Sequence, residues 1–229
     1  ELLGALGVRR VRCVLGGSLG GMQALEWAAM YPHLVQSIVP IATSGRHSAW
    51  CIGIGEAQRQ AIAADPAFRG GRYDPTRPPA AGLAAARMAA MVSYRSRTSF
   101  ERRFGRRSQD KTPLFAVESY LHHQGRKLAD RFDANAYITL TRAMDTHDLA
   151  RGRGGYGEVL AGIRVPALVV SVDSDVLYPP EEQRELAEGM PGATLCTLHS
   201  DDGHDAFLIE MDGLACAVAE FRARVEAGG

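Results

Sequence analysis

Lysine is nearly missing from this sequence: of 26 Lys and Arg residues, only Lys111 and Lys127 are lysines. We read that as genomic composition bias rather than a functional device. Net charge is missing too, since 26 acidic residues balance the 26 basic ones. Nothing global therefore draws the chain to nucleic acid or to an anionic membrane. No apolar run approaches the ~20 residues needed to span a bilayer, and Arg9, Arg10 and Arg12 interrupt any signal-peptide pattern near the N-terminus. Cysteine is sparse. Cys13, Cys51, Cys196 and Cys216 form no C-x-x-C pair, and Cys13 and Cys196 sit in apolar, strand-like runs, so free thiols in a reducing compartment are expected. No His/Cys set has metal-ligand spacing. What remains is ordinary for a globular protein, here expected to be cytoplasmic: 46% hydrophobic and 23% charged residues in a chain of 229, enough for one core plus a subdomain.

The order of elements is informative. Val11–Leu15 is a short aliphatic run ending at Gly16-Gly17 and predicts a buried strand. From Leu19 to Tyr31 the period changes to that of a helix, which Pro32 ends, and Val35–Ile41 predicts a second strand. Strand, helix, strand over about thirty residues is the signature of a parallel sheet. Residues 46–156 read as a helical insertion on that sheet, with helices expected over Glu56–Ala64, Gly82–Tyr94, Val117–Arg131 and Ala134–Asp145. The charged stretch Arg102–Lys111 predicts a mobile loop. The α/β rhythm then resumes: strands over Val165–Val172 and Thr194–Leu198, helices over Glu181–Gly189 and Met211–Val225. Residues 1–45 and 157–229 thus form the expected core.

Gly16-Gly17-Ser18-Leu19-Gly20 fits G-x-S-x-G, between a strand and a helix as that motif requires. The glycines let strand and helix pass closely while a strained turn exposes the serine hydroxyl. The Leu19 amide, at the helix N-terminus, is positioned to steady an oxyanion. A glycine-rich turn holding a phosphate is the competing reading, and G-x-G-x-x-G is absent. A nucleophilic serine needs a base and the base an orienting carboxylate, in the chain order Ser, Asp, His. Two acids follow the strand ending at Val172, Asp173 and Asp175, and the residues alone leave both open. Among the seven histidines, His204 in Asp202-Gly203-His204-Asp205 has the right placement. His199 reads as still in the strand, His33 and His47 come too early, and His122 and His123 lie in a helix.

The extended elbow, Gly16-Gly17-Ser18-Leu19-Gly20-Gly21-Met22-Gln23-Ala24-Leu25-Glu26-Trp27, resembles that of the homoserine O-acetyltransferase family. So do Gly55-Glu56-Ala57-Gln58-Arg59-Gln60-Ala61-Ile62, Ala86-Arg87-Met88, Ser93-Tyr94-Arg95-Ser96 and Gly203-His204-Asp205-Ala206-Phe207-Leu208. The resemblance covers about Val11 to Val225. It implies an α/β-hydrolase fold with a mostly parallel sheet and a helical lid insertion, and a triad of Ser18, Asp175 and His204, leaving Asp173 a turn or capping role. It implies that Arg87 binds the carboxylate and Asp205 the amino group of an amino acid, with Tyr94 near the active-site tunnel. The alternatives for Arg87 and Asp205 are a surface ion pair and a helix cap.

The implied reaction is ping-pong transfer of an acetyl group from acetyl-CoA, a substrate rather than a retained cofactor, to L-homoserine in methionine biosynthesis. Implied partners are these small molecules and a second copy of the chain, docked through the helical insertion. Serine as acceptor or succinyl-CoA as donor stays open within the family, and a carboxylesterase-like hydrolase or an inactive fragment outside it. Arg95, Arg97, Arg102, Arg103, Arg106 and Arg107 suit coenzyme A phosphates, though such a run is more often a solvated surface. Family members carry early strands before the elbow. The four strands here are therefore expected to be the last four of eight, side by side, with the first presenting an open edge.

Overall fold

The computed structural model describes residues 1–109 and 113–227. In chain order its elements are α1 (Leu2–Ala5), β1 (Val14–Gly17), α2 (Leu19–Met30), β2 (Ile38–Ile41), α3 (Ala49–Ala63), α4 (Ala80–Ser93), α5 (Arg97–Arg103), α6 (Ala116–Ala129), α7 (Ala134–Asp145), α8 (Tyr156–Gly162), β3 (Ala167–Val172), α9 (Pro180–Gly189), β4 (Ala193–Leu198), α10 (Ala206–Ile209) and α11 (Met211–Ala227). They divide into two compact units, residues 1–46 with 147–229, and residues 47–146.

The first unit is built on one parallel sheet in the order β1-β2-β3-β4. All four expected strands are present and lie side by side. The first two start later than their aliphatic runs, because Val11 and Val35 make only an isolated parallel bridge before the ladder begins at Val14↔Ile38. Pro40 has no N–H to donate, and the β2–β3 register is set at Ile38↔Ala167 and Ile41↔Val170, on either side of it. Alternation gives the sheet two apolar faces. Ile38, Ala167 and Val169 pack with Leu25, Leu160 and Leu186, from α2, α8 and α9, and with Met190 just after α9. Val39, Ile41, Leu168, Val170 and Val172 pack with Ala206, Leu214 and Phe221, from α10 and α11. Burial on both faces is why these strands are continuously aliphatic. β1 bonds to β2 alone among the described strands, and its Leu15 is 51% exposed.

The second unit is helical, α3 to α7, around Ile62, Leu83, Ala86, Leu128, Ala134 and Tyr137. Its limits correct the expected 46–156. Arg46 bridges Asp148, Leu149 N–H donates to the Gly45 carbonyl (2.9 Å), and Leu149 is buried in the core of the first unit. Residues 147–156 therefore belong with the sheet. Helix α3 begins seven residues before the expected Glu56, since Ser48 caps it by accepting the Cys51 N–H (3.4 Å). The stretch expected to be a loop from Arg102 is also corrected at its start. Ser96 caps a helix, α5, that carries Arg102 and Arg103, and its Phe100 packs with Phe104 just after it and with Tyr120 of α6. Asp110 and Lys111, at the end of that stretch, lie outside the described residues. Helices α1, α5, α8 and α10 have no counterpart in the sequence reading.

Candidate active site

The elbow forms where β1 runs into α2. A Cβ on Gly16 would lie 2.4 Å from the Gly20 backbone, so only glycine lets strand and helix cross there. Ser18, the residue before α2, has φ 55° and ψ −121°. That conformation costs a non-glycine residue on the order of 1–3 kcal/mol and persists only where its surroundings hold it. The hold is visible: Ser18 N–H donates to the Ile41 carbonyl (2.9 Å), and the Ser18 carbonyl accepts from Gly21 N–H (2.9 Å) and Met22 N–H (3.2 Å). Leu19 opens the helix, where a backbone N–H has no intrahelical acceptor.

The second half of the site comes from the loops after β3 and β4. Asp175 is 3% and His204 4% exposed. Their contact is 2.7 Å between His204 Nδ1 and Asp175 Oδ2, while Asp175 Oδ1 accepts the N–H groups of Leu177 (2.8 Å) and Tyr178 (3.0 Å). The carboxylate is thus held at one oxygen by two backbone amides and turns the other to the imidazole. Tyr178 and Phe207 flank the imidazole, with ring centroids 5.3 Å and 5.5 Å away. Phe207 also fills the space above Gly17, where a Cβ would meet its ring at 2.4 Å. One aromatic ring therefore touches both the elbow and the histidine turn.

Asp173 goes elsewhere. It accepts from Ser200 N–H (3.1 Å) and pairs with His199 Nδ1 (2.8 Å). Burial opposes ionisation of its carboxyl, but the Ser200 and His199 contacts outweigh burial and hold the pKa below the usual range. His199 lies one residue past β4, not in the strand as expected, with its side chain 83% exposed. Between the two acids, Ser174 Oγ donates to the Ser200 carbonyl and accepts from Gly203 N–H (3.0 Å). Three successive residues thus tie the acid loop to the histidine loop. Sequence reasoning did not find Ser174, Tyr178 or Phe207 as parts of this site.

Asp205 is partly buried and precedes α10, where its side chain makes no capping bond. Arg87 and Tyr94 belong to the second unit, on α4 and at its C-terminal end, with the guanidinium 5.2 Å from the Tyr94 ring centroid. Tyr137 is close to both: burial pushes its hydroxyl pKa up, Tyr94 adds to the rise and Arg87 opposes it. Tyr137 donates to Gln58 Oε1 (2.7 Å). Of the arginine run, Arg103 lies over Phe104 and Tyr120 and Arg106 over Phe115. Among the described residues, no three His, Cys, Asp or Glu side chains form a group that could hold a metal ion.

Comparison with known proteins agrees with this fold. A profile described as the alpha/beta hydrolase fold matches residues 1–210. A homoserine O-acetyltransferase of Trichormus variabilis is 59% identical over 221 residues, covering 96% of this chain and 61% of the relative. One from Salinibacter ruber is 60% identical over 230 residues, covering 97% and 65%. The chain thus spans less than two thirds of the length of these curated relatives. Among solved structures, a homoserine O-acetyltransferase from Bacillus anthracis superposes with TM-score 0.90 at 24% identity, covering 97% of this chain and 62% of that one. Esterase E22 superposes with TM-score 0.88 at 26% identity, covering 96% and 63%. Profile, sheet and elbow agree, and the chain belongs to the alpha/beta hydrolase fold family.

Proposed function

We propose that the protein to which this chain belongs is an acyltransferase that moves an acetyl group from acetyl-CoA to the hydroxyl of L-homoserine, a step of methionine biosynthesis. One observation carries the reading: a buried Asp175–His204 pair shares Phe207 with a strained serine elbow. Similarity to homoserine O-acetyltransferases at 59–60% identity supports homoserine as the acceptor and acetyl as the group moved.

His204, held through Nδ1 by Asp175, takes the Ser18 proton at Nε2 as Ser18 Oγ attacks the thioester carbonyl. The Leu19 N–H faces the developing oxyanion. Coenzyme A leaves as the thiol, carrying the proton from His204, and an acetyl-serine remains. The homoserine hydroxyl then gives its proton to His204 and attacks that ester, restoring Ser18. By the family resemblance, Arg87 takes the carboxylate of the amino acid and Asp205 its amino group, with Tyr94 beside Arg87. No cofactor is retained, and the helical unit carries a homodimer contact. No helix among the described residues is long and apolar enough to cross a membrane.

The likeness to esterase E22 favours one other reading, in which water takes the acetyl group from the same acyl-serine. Coenzyme A release by the complete protein separates them. Homoserine is expected to accelerate release far above serine or water. Equal release with water alone assigns a hydrolase, and preference for succinyl-CoA changes the donor.

A further inference from the structure

The strained Ser18 has a third support besides β2 and its own helix. Thr43 Oγ1 donates to the Ser18 carbonyl at 2.8 Å, across 25 residues of chain. Thr43 is fully buried, in the loop after β2, and follows Ala42, which also has positive φ (43°). Its methyl group rests on Gly21, where a Cβ would stand 2.6 Å from Thr43 Cγ2. The Thr43 carbonyl in turn accepts Gln183 Nε2 (2.7 Å), and Gln183 Oε1 accepts the Ser171 hydroxyl (3.1 Å). Gln183 and Ser171 are buried as well, on α9 and β3. One strand, one helix and two turns of the first unit are thus joined by one line of neutral hydrogen bonds ending on the carbonyl of the nucleophile.

We infer that Thr43 is a positioning residue for Ser18, holding the elbow in its strained conformation through the Ser18 carbonyl, with Gln183 holding Thr43 in turn. The inference rests on the proposal that Ser18 is the nucleophile. A backbone carbonyl with three donors cannot rotate without breaking them together, and rotation is what would release φ and swing Oγ away from its attack position. A buried neutral bond of this kind is also cooperative with its neighbours, so loss of Gln183 is expected to reach Ser18 in weakened form.

The test is Thr43→Val in the complete protein, an exchange that keeps the shape and removes the hydroxyl. The readout is the rate constant for acylation of Ser18 by p-nitrophenyl acetate, followed by the nitrophenolate burst, beside the thermal midpoint. Acylation is expected to fall about 10-fold, the rate equivalent of one buried hydrogen bond, with KM for the ester unchanged and with Thr43→Ser restoring the rate. Gln183→Met is expected to lower it about 3-fold, and it decides the question if the valine variant does not fold. Acylation unchanged in both variants, or a loss that serine does not restore and that only follows the thermal midpoint, overturns the inference. No burst in the unaltered protein would instead remove the nucleophile assignment itself.

Discussion

The two units bury polar groups for different ends. In the first, buried polar side chains are bonded one to the next and converge on the proposed site: Asp175 on His204, and Ser171, Gln183 and Thr43 on the Ser18 carbonyl. In the second, the buried cluster is ionic. Arg59 meets Asp145 at 2.7 Å and Glu56 at 3.0 Å, and His47 Nδ1 meets the other Asp145 oxygen at 3.1 Å. His47 and Asp145 lie at the two ends of residues 47–146, so this cluster ties the start of the unit to its close. The contrast teaches where to look for an effect. Breaking the first network should appear in a rate, and breaking the second in stability.

Asp175→Asn should have the largest effect. The amide can still accept from Leu177 and Tyr178 through one oxygen, but it offers His204 Nδ1 a donor or a poorer acceptor and favours the wrong tautomer. On the scale of a triad acid, acylation of Ser18 should fall about 10⁴-fold with little change in the unfolding midpoint. A fall below 10-fold in a burst assay would mean that something other than Asp175 orients the imidazole.

Asp145→Ala sets the opposite expectation. Arg59 would keep Glu56 as partner but lose its shortest contact while its guanidinium stays buried. Removing one member of a buried pair costs about 3–5 kcal/mol. The lower end applies here, because half-exposed Glu56 still holds Nε at 3.0 Å. Arg59 Nη1 is already buried without a hydrogen-bond partner among the described residues, so the cluster has little slack. Urea unfolding should report the loss, and the acylation rate of the folded fraction should stay as in the parent. A rate loss with no loss of stability would erase the contrast between the units.

Ser174→Ala falls between the two. It removes one donor and one acceptor that tie the acid loop to the histidine loop, at a cost of about 1 kcal/mol in stability. Acylation should drop severalfold because Asp175 and His204 flank that tie. If stability changes and the rate does not, the tie is structural only.

How much of this was legible beforehand depended on how far apart the partners lie. The elbow was legible because G-x-S-x-G constrains five consecutive residues, and the strands because burial on both sheet faces leaves aliphatic runs. The choice between Asp173 and Asp175 was not legible from residue type, since both acids sit at the end of the same strand. What separates them is the turn: Asp175 accepts the amides two and three residues on, and Asp173 reaches across to Ser200. Thr43 and Gln183 carried no local signal, being 140 residues apart. Helix α5 was hidden because its arginines suggest a solvated loop, and only Ser96 marks its start. The expected insertion ran to 156, ten residues past the close of the second unit. Leu149, buried in the core of the first unit, anchors the chain before residue 156.

The smallest expected effect concerns His47, and its sign tests whether the ionic cluster is a fixed anchor or a pH-sensitive one. Burial is the main influence on its imidazole and lowers the pKa from 6.5. Asp145 pulls it up through charge and hydrogen bond, Arg59 pushes it down again, and the net direction is downward. In the folded protein His47 is therefore neutral where the unfolded chain already binds a proton. Between the lowered value and 6.5 the unfolded state holds more protons, so stability rises with pH across that window. It is complete above 6.5, declines as the pH falls from there to the folded value, and levels off below. His47→Gln removes the titrating group while retaining an N–H for Asp145. Stability measured by urea unfolding between pH 7.5 and 5 should therefore fall less steeply in the variant than in the parent. A parent that gains stability on acidification relative to the variant would mean that Asp145 wins over burial, making the cluster a charged pair at low pH. Parallel curves would mean that His47 does not titrate differently in the two states, leaving the second unit anchored by Arg59 and Asp145 alone.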